Sequence, residues 1–223
     1  MVLAVMSVEA ADVRASRDRM VHEQIESRGI TNTAVLAAMR KVPRHEFVPE
    51  QWTDAAYEDH PLPIGHGQTI SQPYIVALMT ELVQPTDGAR VLEVGTGSGY
   101  QAAILAETGA EVYSIEILKP LARESAARLQ RLGYHTVHVK QGDGYLGWPE
   151  HAPFDAIMVT AGADHVPPPL VEQLKPGGRM VIPVGEPHGE QSLLVVEKNI
   201  SGRISTRNVA PVLFVPLTRE PSK

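Results

Sequence analysis

The sequence predicts an α/β fold, a doubly wound and mostly parallel sheet with a helical layer before it and an antiparallel edge after it. Three observations predict it. The stretch Val91-Leu-Glu-Val-Gly-Thr-Gly-Ser-Gly-Tyr100 runs from an apolar, β-branched strand through three alternating glycines into an Ala- and Leu-rich helix. From Arg90 onward strand and helix patterns alternate, the signature of right-handed βαβ units. After Gly185 the helical patterns stop, and two further strands, Ser192–Lys198 and Val209–Leu217, flank the turn at Asn199–Gly202.

Taken in order, residues 1–18 carry no strong pattern and are expected to be a frayed extension. From Ser16 to Arg28 the spacing of Met20, Val21, Gln24 and Ile25 predicts an amphipathic helix, stopped by Gly29. Thr31-Asn32-Thr33 offers an N-cap to a second helix, Ala34 to Lys41, which ends before Pro43. Pro43 to Pro49 is expected to be a loop or extended link. Tyr57 to Pro73 holds prolines and glycines interrupted by apolar residues, so it is expected to be an ordered loop held against something. Tyr74 to Leu82 follows as a helix, with Ser71 near its N-cap and Pro73 in its first turn.

The alternating part then has strands at Arg90–Val94, Glu111–Ile117, Thr136–Gln141, Asp155–Thr160 and Arg179–Val184. Helices are expected at Tyr100–Glu107, Leu121–Leu132 and near Pro169–Leu174. At 223 residues this is a single domain over 19–223, with 19–82 the helical layer and a loop and 83–223 the sheet and C-terminal strands.

Composition narrows the function. A net charge of −6 argues against a broad basic face for nucleic acid. The absence of cysteine removes thiolate catalysis, thiolate metal sites and disulfides, and is in keeping with a reducing compartment. No apolar run approaches the ~20 residues of a membrane span. Met1 to Ala11 lack a basic start and make a poor signal peptide, so a cytoplasmic protein is expected.

A glycine turn between a parallel strand and a helix N-terminus suits a nucleotide-like ligand. The glycines let the backbone turn sharply and approach the ligand with no Cβ in the way. The dinucleotide fingerprint places its third glycine five positions after the first; here Gly99 stands four after Gly95, and Tyr100 takes the fifth place. No G-K-[ST] follows, which excludes a P-loop. Glu93 just before the turn would repel a pyrophosphate but suits a ligand carrying an ammonium and a sulfonium. The run Glu93 to Gly99 resembles the first motif of S-adenosylmethionine (SAM) methyltransferases. A nicotinamide or flavin site, or an inert turn, remains open from the glycines alone.

Two more acids end successive strands. Glu116 stands about 20 positions after the turn, where a carboxylate accepts from ribose hydroxyls or merely sits at a helix N-terminus. Asp143, between Gly142 and Gly144, either faces an adenine amine or closes the strand as an Asx-turn. With Glu93 they are expected to line one crevice. His60 and His66 lie near Ser71, but no G-x-S-x-G elbow is present and Ser71 precedes the first sheet strand, so a Ser–His hydrolase is rejected. No metal site is expected.

Nearly the whole chain, roughly residues 19–218, resembles the protein-L-isoaspartate O-methyltransferases. The resemblance rests on Pro61-Leu-Pro-Ile-Gly65 and Gly67-Gln-Thr-Ile-Ser-Gln-Pro73, on the glycine motif through Gln101, and on Gly142-Asp-Gly144. It continues through Phe154-Asp-Ala-Ile157, Leu174-Lys-Pro-Gly-Gly178 and Phe214-Val-Pro-Leu217. It implies a SAM-methyltransferase Rossmann-like fold and methylation of the α-carboxylate of L-isoaspartyl residues in damaged proteins and peptides. The ester then recloses to a succinimide. SAM is the donor and S-adenosylhomocysteine the by-product, with no metal.

The implied catalytic residue is Ser71, whose competing role is to cap the next helix. The expected cofactor residues are Glu93, Gly95, Thr96, Gly97, Ser98, Gly99, Glu116, Gly142, Asp143 and Gly144. The expected substrate residues are Thr69, Ile70, Ser71, Val212 and Leu213. Isoaspartyl proteins and peptides are the partners, with no nucleic acid and no membrane, and a monomer is expected. Two other readings stay open on sequence: a SAM enzyme with another carboxylate, small-molecule or RNA acceptor, and a non-enzymatic nucleotide-binding module.

Overall fold

The computed structural model describes residues 12–187 and 189–219. Of the expected N-terminal extension, residues 12–18 are helical and 1–11 lie outside the described residues. The first helix, α1, covers residues 12–19 and runs into a π turn, Met20–Ile25, and a 3-10 turn, Glu26–Arg28. Gly29 stops it at φ +92°, a left-handed cap that glycine adopts without a Cβ clash. The second helix, α2, spans Thr33–Lys41, and Asn32 caps it by accepting from the N–H groups of Ala34 and Val35. The expected link at Pro43–Pro49 holds a 3-10 turn, Arg44–Phe47. Phe47 is fully buried and packs edge-on against Tyr100 at 5.5 Å.

The proline-rich stretch is a β-hairpin, β1 (Leu62–Gly65) and β2 (Gln68–Ile70), which the sequence reading gave only as an ordered loop. Its two turn residues both have positive φ, His66 at 54° and Gly67 at 71°. That is the backbone a two-residue hairpin turn demands. Helix α3 follows at Pro73–Val83, with Pro73 in its first turn; Gln72 is its N-cap residue, and no side chain bonds the cap.

The seven-stranded sheet has the order β5-β4-β3-β6-β7-β8-β9. Strands β3 (Arg90–Val94), β4 (Glu111–Glu116), β5 (Val137–Gln141), β6 (Phe154–Val159) and β7 (Leu174–Gly185) are parallel. Helices α4 (Tyr100–Glu107) and α5 (Lys119–Arg131) connect the first three, and α6 (Pro168–Gln173) connects β6 to β7. The chain steps outward from β3 to β5, then returns to β6 on the other side of β3. That reversal opens a crevice beyond the carboxyl ends of β3 and β6.

The last two strands, β8 (Gln191–Lys198) and β9 (Ile204–Val212), are antiparallel. The final strand therefore starts and ends five residues earlier than the expected Val209–Leu217. Beyond it, Pro216 forms an isolated bridge with Gly162 and the chain continues as a strap.

Alternation along the strands divides the core in two. Val91, Val112 and Met158 join Met20, Val35, Phe47, Ala103 and Leu121 on the face bearing the N-terminal layer. Leu92, Val94, Ile115, Ile157 and Leu170 fill the face under α6.

Candidate functional site

Three chain segments converge on the crevice. The glycine turn supplies its floor: Gly95, Gly97 and Gly99 have φ of +98°, +53° and +87°. A Cβ on Gly95 would lie 2.5 Å from Thr160 Oγ1, and one on Gly144 would collide with Val94 Cγ1. Both approaches are closer than any side chain tolerates, so glycine is required at each. The β1–β2 hairpin lies over the turn, with Ile64 Cδ1 3.5 Å from the Cβ position of Gly97. The C-terminal strap closes the remaining side.

The resulting cavity is lined by Gln68, Thr69, Ile70 and Ser71 from the hairpin and by Gly95, Thr96, Gly97 and Ser98 from the turn. Ile117 and Leu118 beyond β4, Gly144, Thr160 and Ala161, and Val215–Thr218 also line it, Val76, Met79, Val94, Tyr100, Gln101 and Ile115 complete it, and Glu116 is its one carboxylate. No Lys, Arg or His lines it among the described residues. A pyrophosphate would meet no compensating cation there, whereas a cationic nucleoside would meet a carboxylate. The residues present therefore fit SAM better than a dinucleotide.

The three acids do not share one wall, and the joint lining expected of them is corrected. Glu93 is fully buried below the turn and does not line the cavity. Strand alternation explains this: β3 turns Glu93 toward Ser114 of β4, its register partner. Ser114 donates to Glu93 Oε2 and shares a 2.6 Å hydrogen bond with Thr96 Oγ1, while Glu93 Oε1 has no partner. Burial pushes the Glu93 carboxyl up to about 8; the Ser114 hydrogen bond opposes the shift and the Glu116 charge adds to it.

Glu116 lines the cavity and also ties the turn together, its Oε2 accepting from Gly97 N–H at 2.9 Å and its Oε1 from Leu118 N–H at 2.9 Å. Asp143 forms the Asx-type turn: its Oδ1 accepts from Tyr145 N–H at 3.0 Å, and its Oδ2 from Arg219 Nε at 3.3 Å. Gly144 lines the cavity, whereas Gly99, Gly142 and Asp143 do not.

A second cavity adjoins the first. Pro61, Gln72, Ile75, Pro211, Val212, Leu213 and Phe214 line it, together with Thr69, Ser71, Thr160 and Val215. Those last four residues line the first cavity as well. Ser71 thus stands at the junction, held by the end of β2 and by Gln72, whose Nε2 donates to Asp59 O and Oδ1. Leu213 is 74% exposed at the rim of the second cavity.

Sequence reasoning missed Val76, Met79, Gln101 and Thr160; it took the loop around Ser71 and Val212–Leu217 as walls of the peptide groove, and residues 215–218 line the first cavity. For Thr160 a signal existed: it directly follows β6, beside the reversal of strand order. Its hydroxyl contacts Val94 O at 3.0 Å and Gly95 O at 2.6 Å, joining β6 to the glycine turn. Among the described residues, no group of three or more His, Cys, Asp or Glu side chains could hold a metal ion.

Comparison with known proteins gives four concordant findings. The family model for protein-L-isoaspartate(D-aspartate) O-methyltransferase matches residues 15–222. A protein-L-isoaspartate O-methyltransferase of Opitutus terrae is 60% identical, the match covering 99% of this chain and 95% of the relative. Among solved structures, a protein-L-isoaspartate O-methyltransferase superposes with a TM-score of 0.82 at 31% identity, covering 90% of this chain and 65% of that one. A Plasmodium falciparum structure described as a protein-L-isoaspartate O-methyltransferase in complex with S-adenosyl-L-homocysteine superposes with a TM-score of 0.77 at 28% identity. That match covers 92% of this chain and 99% of the other.

Proposed function

The chain belongs to the protein-L-isoaspartate(D-aspartate) O-methyltransferase family, and on that premise we propose how its two joined cavities carry out one methyl transfer. The enzyme moves a methyl group from SAM to the α-carboxylate of L-isoaspartyl residues in damaged proteins and peptides, starting their return through a succinimide. The observation that carries the assignment of roles is the shared wall: Thr69, Ser71, Thr160 and Val215 border both cavities. The first cavity takes the nucleoside and the second takes the peptide.

SAM supplies a methyl group on a positively charged sulfur, and its loss leaves a neutral thioether. The acceptor carboxylate is already ionised near neutral pH, since a model carboxyl titrates near ~4. No base is needed, and among the described residues no ionisable side chain lines the second cavity. The work left to the chain is orientation and the removal of water from opposite charges that disappear together. Ser71 orients the carboxylate by donating a hydrogen bond from its hydroxyl. Ile70, Val76 and Met79 exclude water. Glu116 accepts from the ribose while holding Gly97. Glu93 acts one layer down, through Ser114 and Thr96, on the shape of the turn. Asp143 with Gly142 and Gly144 shapes the adenine end, and Val212 and Leu213 hold the peptide.

The same proposal takes residues 19–223 as one domain that works as a monomer in the cytoplasm. The cysteine-free chain is in keeping with that compartment, and no helix among the described residues is long and apolar enough to cross a membrane.

The test uses methyl-labelled SAM with an isoaspartyl peptide and its aspartyl isomer. Base-labile label should form with the first only. Ser71→Ala should lose about 10²-fold or more in kcat while binding S-adenosylhomocysteine within about twofold of wild type. Equal loss of both would make Ser71 a structural residue.

A further inference from the structure

The C-terminal strap lines the first cavity and is fastened at two places. At the near end the fastening is backbone: Gly162 N–H donates to Val215 O at 2.8 Å, and Leu217 N–H donates to Gly162 O at 2.7 Å. At the far end it is one side chain. Arg219 Nε donates to Asp143 Oδ2 at 3.3 Å, and its guanidinium lies 3.7 Å from the centroid of the Tyr145 ring. The Tyr145 ring is itself steadied, its hydroxyl hydrogen-bonded to His165 Nε2 at 2.9 Å, with His165 Nδ1 2.6 Å from Asp164 Oδ1. Val215 to Thr218 form cavity wall, and of these Thr218 lies between the two fastenings. The strap therefore bridges the loop after β6 to the loop after β5 along a wall of the first cavity.

We propose that Arg219 is a positioning residue that latches this strap and so sets how fast the nucleoside enters and leaves the first cavity. The inference rests on the reading of that cavity as the SAM site. The contacts suit a latch. The Asp143 side chain is 8% exposed and fixed, whereas the Arg219 side chain is 50% exposed, so the pair can open into water at small cost. Arg219 does not line the cavity, so its loss takes away no ligand contact. A latch that is equally formed with and without ligand slows entry and exit by the same factor and leaves the equilibrium unchanged.

The experiment follows departure of radiolabelled S-adenosylhomocysteine from the full-length protein in a chase, with its Kd from equilibrium dialysis. For Arg219→Ala, departure should quicken roughly tenfold, the joint worth of an exposed ion pair and a cation–π contact. Kd should stay within about twofold, so entry quickens alike. Arg219→Lys, which keeps the charge and loses the planar stack, should fall between. Salt should quicken departure from the wild type and not from Arg219→Ala. Departure unchanged in Arg219→Ala overturns the latch. So does faster departure matched by an equally weaker Kd, which would make Arg219 part of the binding site. A wild-type protein that takes up no S-adenosylhomocysteine would instead sink the cavity assignment, before any variant is compared.

Discussion

Glu93 shows how a residue can be correctly noticed and wrongly placed. Its position before the glycine turn was legible in the sequence. That it faces Ser114 and not the cavity was not, because strand alternation gives a side chain's face only once the register is known. The burial has a consequence for stability. An ordinary glutamate titrates near 4.5, and here the folded-state value is about 8. Between those values the folded protein holds a proton that the unfolded chain has released. Stability from this group is therefore present at low pH and lost as pH rises through the window. Glu93→Gln keeps the shape and cannot ionise. Thermal midpoints of wild type and variant should be closest near pH 5, with the variant pulling ahead toward pH 9. A gap that stays constant over that range would mean the carboxyl never feels its burial. Thr160 is the converse case, a residue whose place at a strand end was legible but whose double contact with Val94 O and Gly95 O needed coordinates.

Among the elements, β3, β4, β6 and β7 were legible because buried parallel strands are apolar runs. Two elements were not. The β1–β2 hairpin turns on His66-Gly67 in place of the usual Asn-Gly pair, so its sequence carries a weak turn signal. Strand β9 begins in the exposed, polar run Ile204 to Asn208, while the apolar run to Leu217 drew the reading five residues too far. The glycines of the two site elements should respond differently to substitution. Gly67→Ala meets nothing within 4 Å and suffers only its φ of +71°, a cost of roughly 1 kcal/mol. It should shift the peptide KM more than the Kd for S-adenosylhomocysteine, because the hairpin carries Ser71. Gly95→Ala adds to the same strain a collision with Thr160 Oγ1 and should cost roughly 2 kcal/mol or more. It should also lose most nucleoside binding. Urea titrations and dialysis on both variants measure the difference, and comparable losses of nucleoside affinity would deny the turn its special role.

At the scale of the molecule, the N-terminal layer and the sheet share one core. Met20, Val35 and Phe47 pack in the same cluster as Val91, Ala103 and Val112. Ion pairs Lys41–Glu107 at 2.8 Å and Arg131–Glu46 at 3.0 Å cross the same boundary, though exposed pairs add little. A layer that buries its apolar face only against the sheet has no core to keep when the sheet melts. Unfolding should therefore be one transition. Trp52 lies in the layer and Trp148 beside the β4–β6 face, so a Trp148→Phe background leaves fluorescence reporting on the layer alone. In that background, the urea midpoint from Trp52 fluorescence should coincide with the midpoint from far-UV circular dichroism, which is dominated by the larger α/β part. Phe47→Ala should lower both together, by about 3–5 kcal/mol of stability, since Phe47 is fully buried against Tyr100 at the seam. A Trp52 transition at clearly lower urea would divide the chain into a detachable cap and a self-sufficient sheet. The hairpin that bears Ser71 would then be anchored to the less stable part, and Ser71 could swing away from the methyl donor while the nucleoside cavity stayed folded.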